Sequence, residues 1–410
     1  MVQMELTRLF AAGLLAAFAA WPSGAAVTWP MERLRTPPKT FDASAYATNA
    51  VQVTFYEGLP YKGRETRVFA YYGIPNRKPG EKVPAMVLVH GGGGSAFYRW
   101  VKFWNDQGYA AISMDTCGKV SGNAVGKEQR GHFPHDWSGP DGWGGFKRMT
   151  DADEDHWMFH AVAAVIRGHS LLRSLPGVDP DRIGLTGVSW GGIISSTVAS
   201  LDDRFKFAAP VYGCGDNFVR SPIWTNNCAA IGAKYVPMWK AKWDPISYLA
   251  RARVPIHWLD GTNDIWFSLP AIEGSRNALS VENGATLRVR MAHSHGKVSE
   301  QTPEILALAN HYLRGGPDLP HFGAVKVADG VASADFSHDP ALVPAKAILD
   351  YTLDAPDAHG FWYSCLWQSA EASVEGGKVV VRLPKGTTAF YLNLETASGL
   401  RASSHVTFLR

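Results

Sequence analysis

Short apolar runs separated by turn residues recur along much of the chain, and each of them predicts a strand. Two runs alternate between apolar and polar positions, over 51–56 and 67–72, which is typical of an antiparallel start at a sheet edge. The later runs are continuously apolar, as in strands covered on both faces; they cover 83–90, 109–114, 182–188, 206–212, 254–260 and 286–291. The pattern therefore predicts eight strands.

Helical patterns lie between most of the later strands. The clearest covers about 152–173, where Trp157, Ala161 and Val165 recur at four-residue steps and form one apolar face. A final helix is predicted over 308–316, where two glycines end it. Strands that alternate with helices predict an α/β fold with a mostly parallel sheet.

The pattern changes after residue 316, where only strand-like runs and turns follow. We therefore predict a catalytic domain over 27–316 and an all-β, sandwich-like accessory domain over 317–410. Two long insertions, 118–150 and 213–247, interrupt the alternation of the first domain. Insertions of this length in a compact domain are usually functional loops or lids.

The first residues have the order of a secretory signal peptide. Arg8 precedes an uninterrupted apolar run over 9–20, and small residues follow up to Ala26. The run is shorter than the roughly 20 apolar residues that a spanning helix needs. We therefore predict a signal peptide over 1–26, a secreted or periplasmic protein, and no stable membrane span after cleavage.

Composition narrows the partners and the cofactors. The formal net charge is only +3 and no long Lys/Arg run is present, so we expect no nucleic acid partner. Export makes a bridge between Cys214 and Cys228 a reasonable hypothesis. No C-x-x-C or H-E-x-x-H motif is present, so no metal site is predicted, and we expect His156 and His160 to serve in helix packing.

The stretch GVSWG places Ser189 between two glycines, directly after a predicted strand and before a predicted helix. A sharp strand-to-helix turn exposes its central hydroxyl, and only small neighbours tolerate the close backbone approach. The helix N-terminus also favours negative charge that develops there. Ser189 is therefore the candidate nucleophile, and a chance match in a glycine-rich chain is the alternative.

A nucleophile of this kind needs donors for the oxyanion. The run HGGGG follows a buried strand, and its glycines can turn backbone N–H groups toward a substrate oxygen. We expect one donor at Gly91 or Gly92 and the other at the N–H of Trp190. A flexible turn is the alternative, whereas a phosphate loop would require a G-K-[ST] ending.

An orienting acid and a base should follow in chain order. Asp264 lies past a glycine turn, where a loop carboxylate can reach a histidine, whereas Asp260 ends its strand and is expected to be structural. The next strand ends in two histidines. We assign the base to His295, in the flexible loop, and His293 remains the alternative.

Several tryptophans lie in or near these predicted loops. Their faces can stack on sugar rings or pack the lids, and the sequence leaves both interpretations open. They are Trp137, Trp143, Trp224, Trp239, Trp243 and Trp266.

The set HGGGG, GVSWGG, GTND and HSHG resembles the α/β-hydrolase superfamily over roughly residues 50–315. The resemblance is nearest to the dienelactone hydrolase, acetyl xylan esterase and prolyl oligopeptidase-like branches. It implies an eight-stranded sheet, Ser189 as nucleophile, Asp264 as orienting acid and His295 as base. It implies no metal or organic cofactor. The insertion over 118–150 and the C-terminal β region depart from the core fold.

The expected function is that of a secreted serine esterase acting on a small-molecule or carbohydrate ester, such as acetylated xylan. A peptidase of the prolyl oligopeptidase type is a second hypothesis, although only about 50 residues precede the first strand, too few for a large propeller. A non-catalytic carbohydrate-binding protein on a hydrolase fold is the third.

Overall fold

The computed structural model of the chain describes residues 26–409, except 122–131, 220, 222, 225, 227–231, 290–296 and 358. The predicted signal peptide, apart from Ala26, lies outside the described residues. Within the ranges described, no helix has both the length and the apolar character needed to cross a membrane.

A mixed sheet forms the centre of the fold. Its strands and one small hairpin are, in chain order, β1 (Thr40–Phe41), β2 (Gln52–Glu57), β3 (Arg67–Gly73), β4 (Val83–Val89), β5 (Ala110–Met114), the hairpin β6 (Lys119–Ser121) and β7 (His132–Pro134), β8 (Val178–Val188), β9 (Ala208–Val211), β10 (Ile256–Gly261) and β11 (Asn283–Arg288). The spatial order is β1-β2-β3-β5-β4-β8-β9-β10-β11. The strands from β5 to β11 are parallel to one another, so the predicted mostly parallel sheet is confirmed.

The eight predicted runs coincide with β2, β3, β4, β5, β8, β9, β10 and β11, with small shifts at their ends. The largest shift is at β8, which starts at Val178 rather than at 182. Val178 pairs with Val83, and the register then shifts before Ile183 pairs with Ala85. The aspartates and the proline of this irregular stretch hid the extra strand residues from the apolar pattern.

The helices that accompany this sheet are α1 (Met31–Arg35), α2 (Tyr98–Asp106), α3 (Trp157–Ser174), α4 (Trp190–Ala199), α5 (Val236–Trp243), α6 (Leu269–Asn277), α7 (Lys297–Glu300) and α8 (Pro303–Arg314). Helix α3 begins later than predicted, because His156 caps it by accepting the N–H of Met158 on Nδ1 at 3.2 Å. Helix α8 begins earlier than predicted, at Pro303, since proline is well tolerated in the first turn.

After α8 the regular structure of the described residues consists of strands. They are β12 (His321–Phe322), β13 (Lys326–Ala328), β14 (Val331–Ser337), β15 (Pro344–Thr352), β16 (Trp367–Glu375), β17 (Lys378–Arg382), β18 (Ala389–Thr396), β19 (Arg401–Ser403) and β20 (Thr407–Phe408). Strand β19 pairs with β11 through Ala285 and Ser403, so the central sheet continues into the C-terminal region. The order there is β11-β19-β18-β15-β16. The domain boundary at residue 316 stays a prediction.

Two apolar clusters explain how the C-terminal region is held. One lies inside it, between strands: Ala332, Ala334, Ala347, Leu349, Ala372, Val379, Phe390, Leu392 and Leu394. The other joins it to α6 and β11: Leu269, Ala285, Leu287, Trp362, Cys365, Trp367, Ala389, Tyr391 and Val406. Polar contacts reinforce the junction, since Arg276 donates to the carbonyl oxygen of Ser404 at 3.1 Å.

Candidate active site

Ser189 occupies the turn between β8 and α4. Its backbone has φ 58° and ψ −118°, a conformation that residues with a Cβ adopt only under strain. The backbone is held on both sides: Ser189 N–H donates to the carbonyl oxygen of Val211 at 2.8 Å, and its own carbonyl accepts from Ile193 at 3.0 Å. The side chain is thus presented from a rigid, strained turn at the carboxyl edge of the sheet.

The glycines around Ser189 are required by close backbone approach. A Cβ on Gly187 would lie 2.3 Å from the carbonyl oxygen of Gly191. A Cβ on Gly191 would lie 2.0 Å from the carbonyl oxygen of Val89, the last residue of β4. A Cβ on Gly192 would lie 2.8 Å from the Cα of Gly213. The turn therefore packs directly on the end of β4, where the glycine-rich loop begins.

That loop lies beside Ser189 and is held by a buried histidine. Thr116 N–H donates to Nε2 of His90 at 3.0 Å, so the ring proton is on Nδ1, which donates to the carbonyl oxygen of Gly91 at 2.9 Å. Gly94 N–H donates to the same carbonyl at 3.1 Å. The peptide between Gly91 and Gly92 is thus fixed with its oxygen toward His90.

The predicted oxyanion residues lie close to one another. A Cβ on Gly92 would lie 2.8 Å from Cδ1 of Trp190, so this close approach requires glycine. Trp190 is the first residue of α4, where the backbone N–H has no intrahelical acceptor. A cavity of about 80 Å³ borders the glycine loop and Val188. Backbone donors, the helix N-terminus and the serine therefore meet at one edge of the sheet.

The loop after β10 carries the predicted acid. Asp264 is buried, and its Oδ1 accepts from the N–H groups of Trp266 at 2.6 Å and Phe267 at 3.0 Å. Asp260 is fully buried at the end of β10; burial, and then the Asp264 carboxylate, raise its pKa well above the usual value. Asp260 therefore holds its proton to higher pH than an ordinary aspartate, and the structural role expected for it stays a prediction.

The same loop is attached to the C-terminal region by a contact that sequence analysis missed. The amide of Asn263, next to Asp264, donates to the carbonyl oxygens of Tyr363 at 2.7 Å and Cys365 at 3.1 Å. The acceptors are backbone atoms about a hundred residues away, so no pattern of residue types signals the contact. The C-terminal region thus supports the loop that carries the candidate acid.

The predicted base, His295, and its alternative, His293, lie outside the described residues. Strand β11 ends at Arg288, and helix α7 begins at Lys297. The structure therefore brings Ser189, the glycine loop and Trp190 together, and it places Asp264 two strands along the same edge of the sheet. The choice between the two histidines stays a prediction.

The two insertions meet above the serine turn and build an aromatic cover. Trp239 of α5 donates from Nε1 to the carbonyl oxygen of Gly144 at 2.9 Å. The ring of Trp190 contacts Trp224 at 5.2 Å, Trp157 at 5.4 Å and Phe146 at 5.9 Å between centroids. The insertions therefore enclose the residue that follows the candidate nucleophile.

The six predicted loop tryptophans differ in burial. Trp224, Trp239 and Trp243 are buried, which favours the packing interpretation for them. Trp143 is only partly buried and meets the His90 ring edge-on at 5.8 Å. Trp137 is 40% exposed, and the guanidinium of Arg67 lies over it at 3.9 Å. Trp266 is partly buried beside the acid loop.

Two other sequence expectations concern histidines and cysteines. His156 stacks on Trp243 at 4.0 Å, and His160 Nε2 lies 2.8 Å from the carbonyl oxygen of Glu154, so both act in packing and capping. The bridge expected at Cys214 is wrong: Cys214 has a free, buried thiol that donates to Oδ1 of Asn217 at 3.4 Å. Its expected partner, Cys228, lies outside the described residues.

Comparison with known proteins agrees with this geometry. Residues 32–228 match the family described as Acetyl xylan esterase (AXE1), a range that includes the glycine loop and Ser189. The acetyl xylan esterase from Paenibacillus sp. R4 superposes with a TM-score of 0.53 and 19% identity, over 69% of this chain and 92% of that one. The chain is an α/β-hydrolase.

A second solved structure supports the same fold. Acetyl xylan esterase 1 from Thermoanaerobacterium sp. JW/SL YS485 superposes on this α/β-hydrolase with a TM-score of 0.52 and 15% identity, over 69% of this chain and 91% of that one. The family match adds the reaction class, which makes this α/β-hydrolase an enzyme that acts on carboxylic esters. The predicted superfamily and enzyme class are thus confirmed.

Proposed function

We propose that this α/β-hydrolase cleaves its ester through Ser189, with His295 as general base and Asp264 as the acid that orients it. The observation that carries the proposal is the strained backbone of Ser189, which lies beside the glycine loop at a helix N-terminus. Strain of this kind is stored where the turn fixes a reacting group.

The steps follow from the chemistry of this arrangement. His295 removes the proton from the Ser189 hydroxyl as its oxygen attacks the ester carbonyl, and the carbonyl oxygen becomes an oxyanion. Backbone N–H groups at Gly91 or Gly92 and at Trp190 stabilise that charge. The alcohol leaves with a proton from His295, and water then releases the acid from the acyl-serine.

The substrate we propose is an ester-decorated carbohydrate of the acetylated xylan type. The family match and the names of the two superposed esterases support this substrate class. The aromatic cover also supports it, because the partly exposed faces of Trp143 and Trp266 suit a sugar ring. Secretion or transport to the periplasm would place the enzyme where such polymers occur.

Acid release from a substrate panel tests the proposal. We would compare acetylated xylan, methyl glucuronate esters and short peptides, using wild type, Ser189→Ala and the matched control Ser195→Ala. Ser195 lies on α4, and its hydroxyl has no hydrogen-bond partner among the described residues. We expect acetate release that falls about a thousandfold or more in Ser189→Ala only. Equal release by Ser189→Ala would refute the nucleophile, and cleavage of peptides alone would favour the peptidase hypothesis.

A second pair of variants tests the acid. Asp264→Asn should lower kcat by about a thousandfold, since a neutral amide cannot stabilise the imidazolium. Asp260→Asn should leave kcat within a few-fold of wild type, because an amide imitates the protonated carboxyl that burial favours there. If the two variants exchange these effects, Asp260 is the triad acid.

The site of export is tested separately. The full chain would be expressed in a bacterial host with an export system, and the N-terminus of the product would be determined by mass spectrometry. We expect a periplasmic or extracellular product that begins near residue 27. A cytoplasmic product that retains residues 1–26 would refute the signal peptide.

A further inference from the structure

A cluster of metal-binding side chains lies at the amino end of the sheet, opposite to the edge that carries Ser189. Glu282 directly precedes β11, whereas Asp318 and His321 lie in the segment that leads from α8 into the C-terminal strands. One carboxylate oxygen of each acid and one nitrogen of His321 all lie within 4.8 Å of one another. The cluster thus combines side chains from both sides of the predicted domain boundary.

The contacts within the cluster leave at least one carboxylate oxygen that can bind an ion. His321 Nε2 lies 2.8 Å from Oδ2 of Asp318 and 3.8 Å from Oε1 of Glu282. The other oxygen of Asp318, Oδ1, is buried and has no hydrogen-bond partner in the described part of the chain. A buried carboxylate oxygen without a partner is costly unless a cation or a donor satisfies it. His311 is the other nearby histidine, with Nε2 at 3.7 Å from Oδ2 of Asp318.

A buried histidine borders the same cavity and has one ring nitrogen that is not used in a hydrogen bond to a described residue. His257 is 8% exposed, and its Nε2 lies 2.9 Å from the hydroxyl of Thr286. That hydroxyl donates its own proton to the carbonyl oxygen of Arg401 at 2.7 Å, so it accepts from His257, whose ring proton is therefore on Nε2. The Nδ1 atom then carries a lone pair and makes no hydrogen bond with any described residue.

The surroundings keep that lone pair accessible. A Cβ on Gly284 would lie only 2.6 Å from Nδ1 of His257, so glycine leaves the nitrogen uncovered. His257, Gly284 and the three cluster residues line one cavity of about 40 Å³. We propose that Glu282, Asp318 and His321 bind a divalent transition-metal ion of the zinc type.

The donor set decides between classes of cation. Imidazole nitrogen together with carboxylate oxygen suits zinc, whereas calcium and magnesium prefer oxygen alone. Ligand atoms about 2.0–2.2 Å from a tetrahedral zinc ion are about 3.3 Å apart, a spacing within the range of this cluster. The guanidinium of Arg276 also borders the cavity, but it is satisfied by Glu273 and the carbonyl oxygen of Ser404.

The location defines what such an ion would do. It would cross-link the start of β11 to the segment that enters the C-terminal region. This place is at the amino end of the sheet, opposite to the edge that carries Ser189. The ion would therefore act on stability and on the attachment of the C-terminal strands rather than on ester cleavage. This inference does not depend on the proposed catalytic mechanism.

Metal titration tests the site directly. Tag-free full-length protein would be treated with EDTA, dialysed and titrated with zinc chloride by calorimetry, with calcium chloride in parallel. We expect one zinc site per chain and no comparable heat from calcium. Cobalt in place of zinc should give visible d–d absorption, which reports nitrogen and oxygen ligands around the ion. The thermal midpoint should rise with added zinc.

Matched variants locate the site. Glu282→Gln changes a half-exposed side chain and should preserve folding, and His321→Ala removes the nitrogen ligand. Each should weaken zinc binding about tenfold or more and abolish the rise of the thermal midpoint. Glu371→Gln and His338→Ala change exposed residues elsewhere in the C-terminal region and should bind zinc like wild type.

Three results would overturn the inference. Wild type that gives no heat with zinc has no site. Equal affinity in Glu282→Gln, His321→Ala and wild type would place the zinc elsewhere. Preferential binding of calcium would exclude the assigned histidine ligand.

Loss of esterase activity in Ser189→Ala, with zinc binding retained, would show that this site and the proposed catalytic function are separate.

Discussion

The strain at Ser189 makes a prediction that opposes the usual effect of glycine. Ser189→Ala and Ser189→Gly both remove the hydroxyl, and they differ only in the Cβ. At φ 58° and ψ −118° the Cβ is unfavourable, whereas glycine adopts this conformation freely. We therefore expect Ser189→Gly to be more stable than Ser189→Ala, and we expect both variants to be inactive.

The expected magnitude follows from two opposing terms. A residue with a Cβ in a sparsely populated backbone region costs about 1–3 kcal/mol. Glycine also gives the unfolded chain greater conformational freedom. This destabilises the folded glycine variant and offsets about 0.4–1 kcal/mol of the relieved strain. The net difference in the free energy of unfolding should be about 1 kcal/mol in favour of glycine.

Equilibrium unfolding in urea, followed by tryptophan fluorescence, measures this difference as the shift in midpoint multiplied by the slope. Ser195 gives the matched control, because it lies inside α4, where glycine should be less stable than alanine by about 1 kcal/mol. The order of the two variants should thus reverse between the two positions. If Ser189→Gly is no more stable than Ser189→Ala, the turn stores no strain.

Three further predictions concern packing, pH and the acid loop. Gly191→Ala should lose about 3 kcal/mol of stability or fail to fold, because its Cβ would lie 2.0 Å from a backbone oxygen. Gly139→Ala is the control: beyond its chain neighbours, no atom of the described residues lies nearer than 3.8 Å to its Cβ, so its thermal midpoint should stay close to that of wild type. Burial lowers the pKa of His156 to about 4, so the unfolded chain binds more protons than the folded one between pH 6.5 and 4. The free energy of unfolding should therefore fall as pH falls through that window, by at most about 1.4 kcal/mol per pH unit. His156→Asn replaces the capping Nδ1 with a side-chain oxygen that cannot titrate, so the thermal midpoint of this variant should depend less steeply on pH. An unchanged slope would contradict this cause. Asn263→Ala should lower kcat about tenfold with KM little changed, because Asp264 loses its anchored neighbour. Steady-state kinetics that give equal kcat for wild type and Asn263→Ala would contradict the anchoring role of Asn263.

The sequence predicted the parts of the fold that local chemistry determines. The apolar runs located the strands of the central sheet, because strands buried on both faces must be apolar along their length. The glycines beside Ser189 indicated the sharp turn, since close backbone contact excludes any larger residue there. The glycine run after His90 indicated a loop that approaches the serine turn closely, for the same physical reason.

The parts that were missed depend on contacts between distant backbone atoms. Strand β19 is only three residues long, and its pairing with β11 leaves no periodic signal. The anchoring of Asn263 uses two carbonyl oxygens, which every residue type offers. The expected bridge at Cys214 failed because short spacing in sequence does not determine where a side chain points: this thiol is directed to Asn217.

The pairing of β11 with β19 has a consequence for how the protein is made. The N–H of Leu287 in β11 donates to the hydroxyl of Ser403 at 2.8 Å, and Ser403 is synthesised 116 residues later. Until that segment emerges from the ribosome, β11 is an unpaired edge that can associate with other chains. The loop that carries Asp264 also waits for its anchor at Cys365. Biosynthesis therefore delays completion of the edge that carries the candidate site until the C-terminal strands are present, and an aggregation-prone interval precedes it.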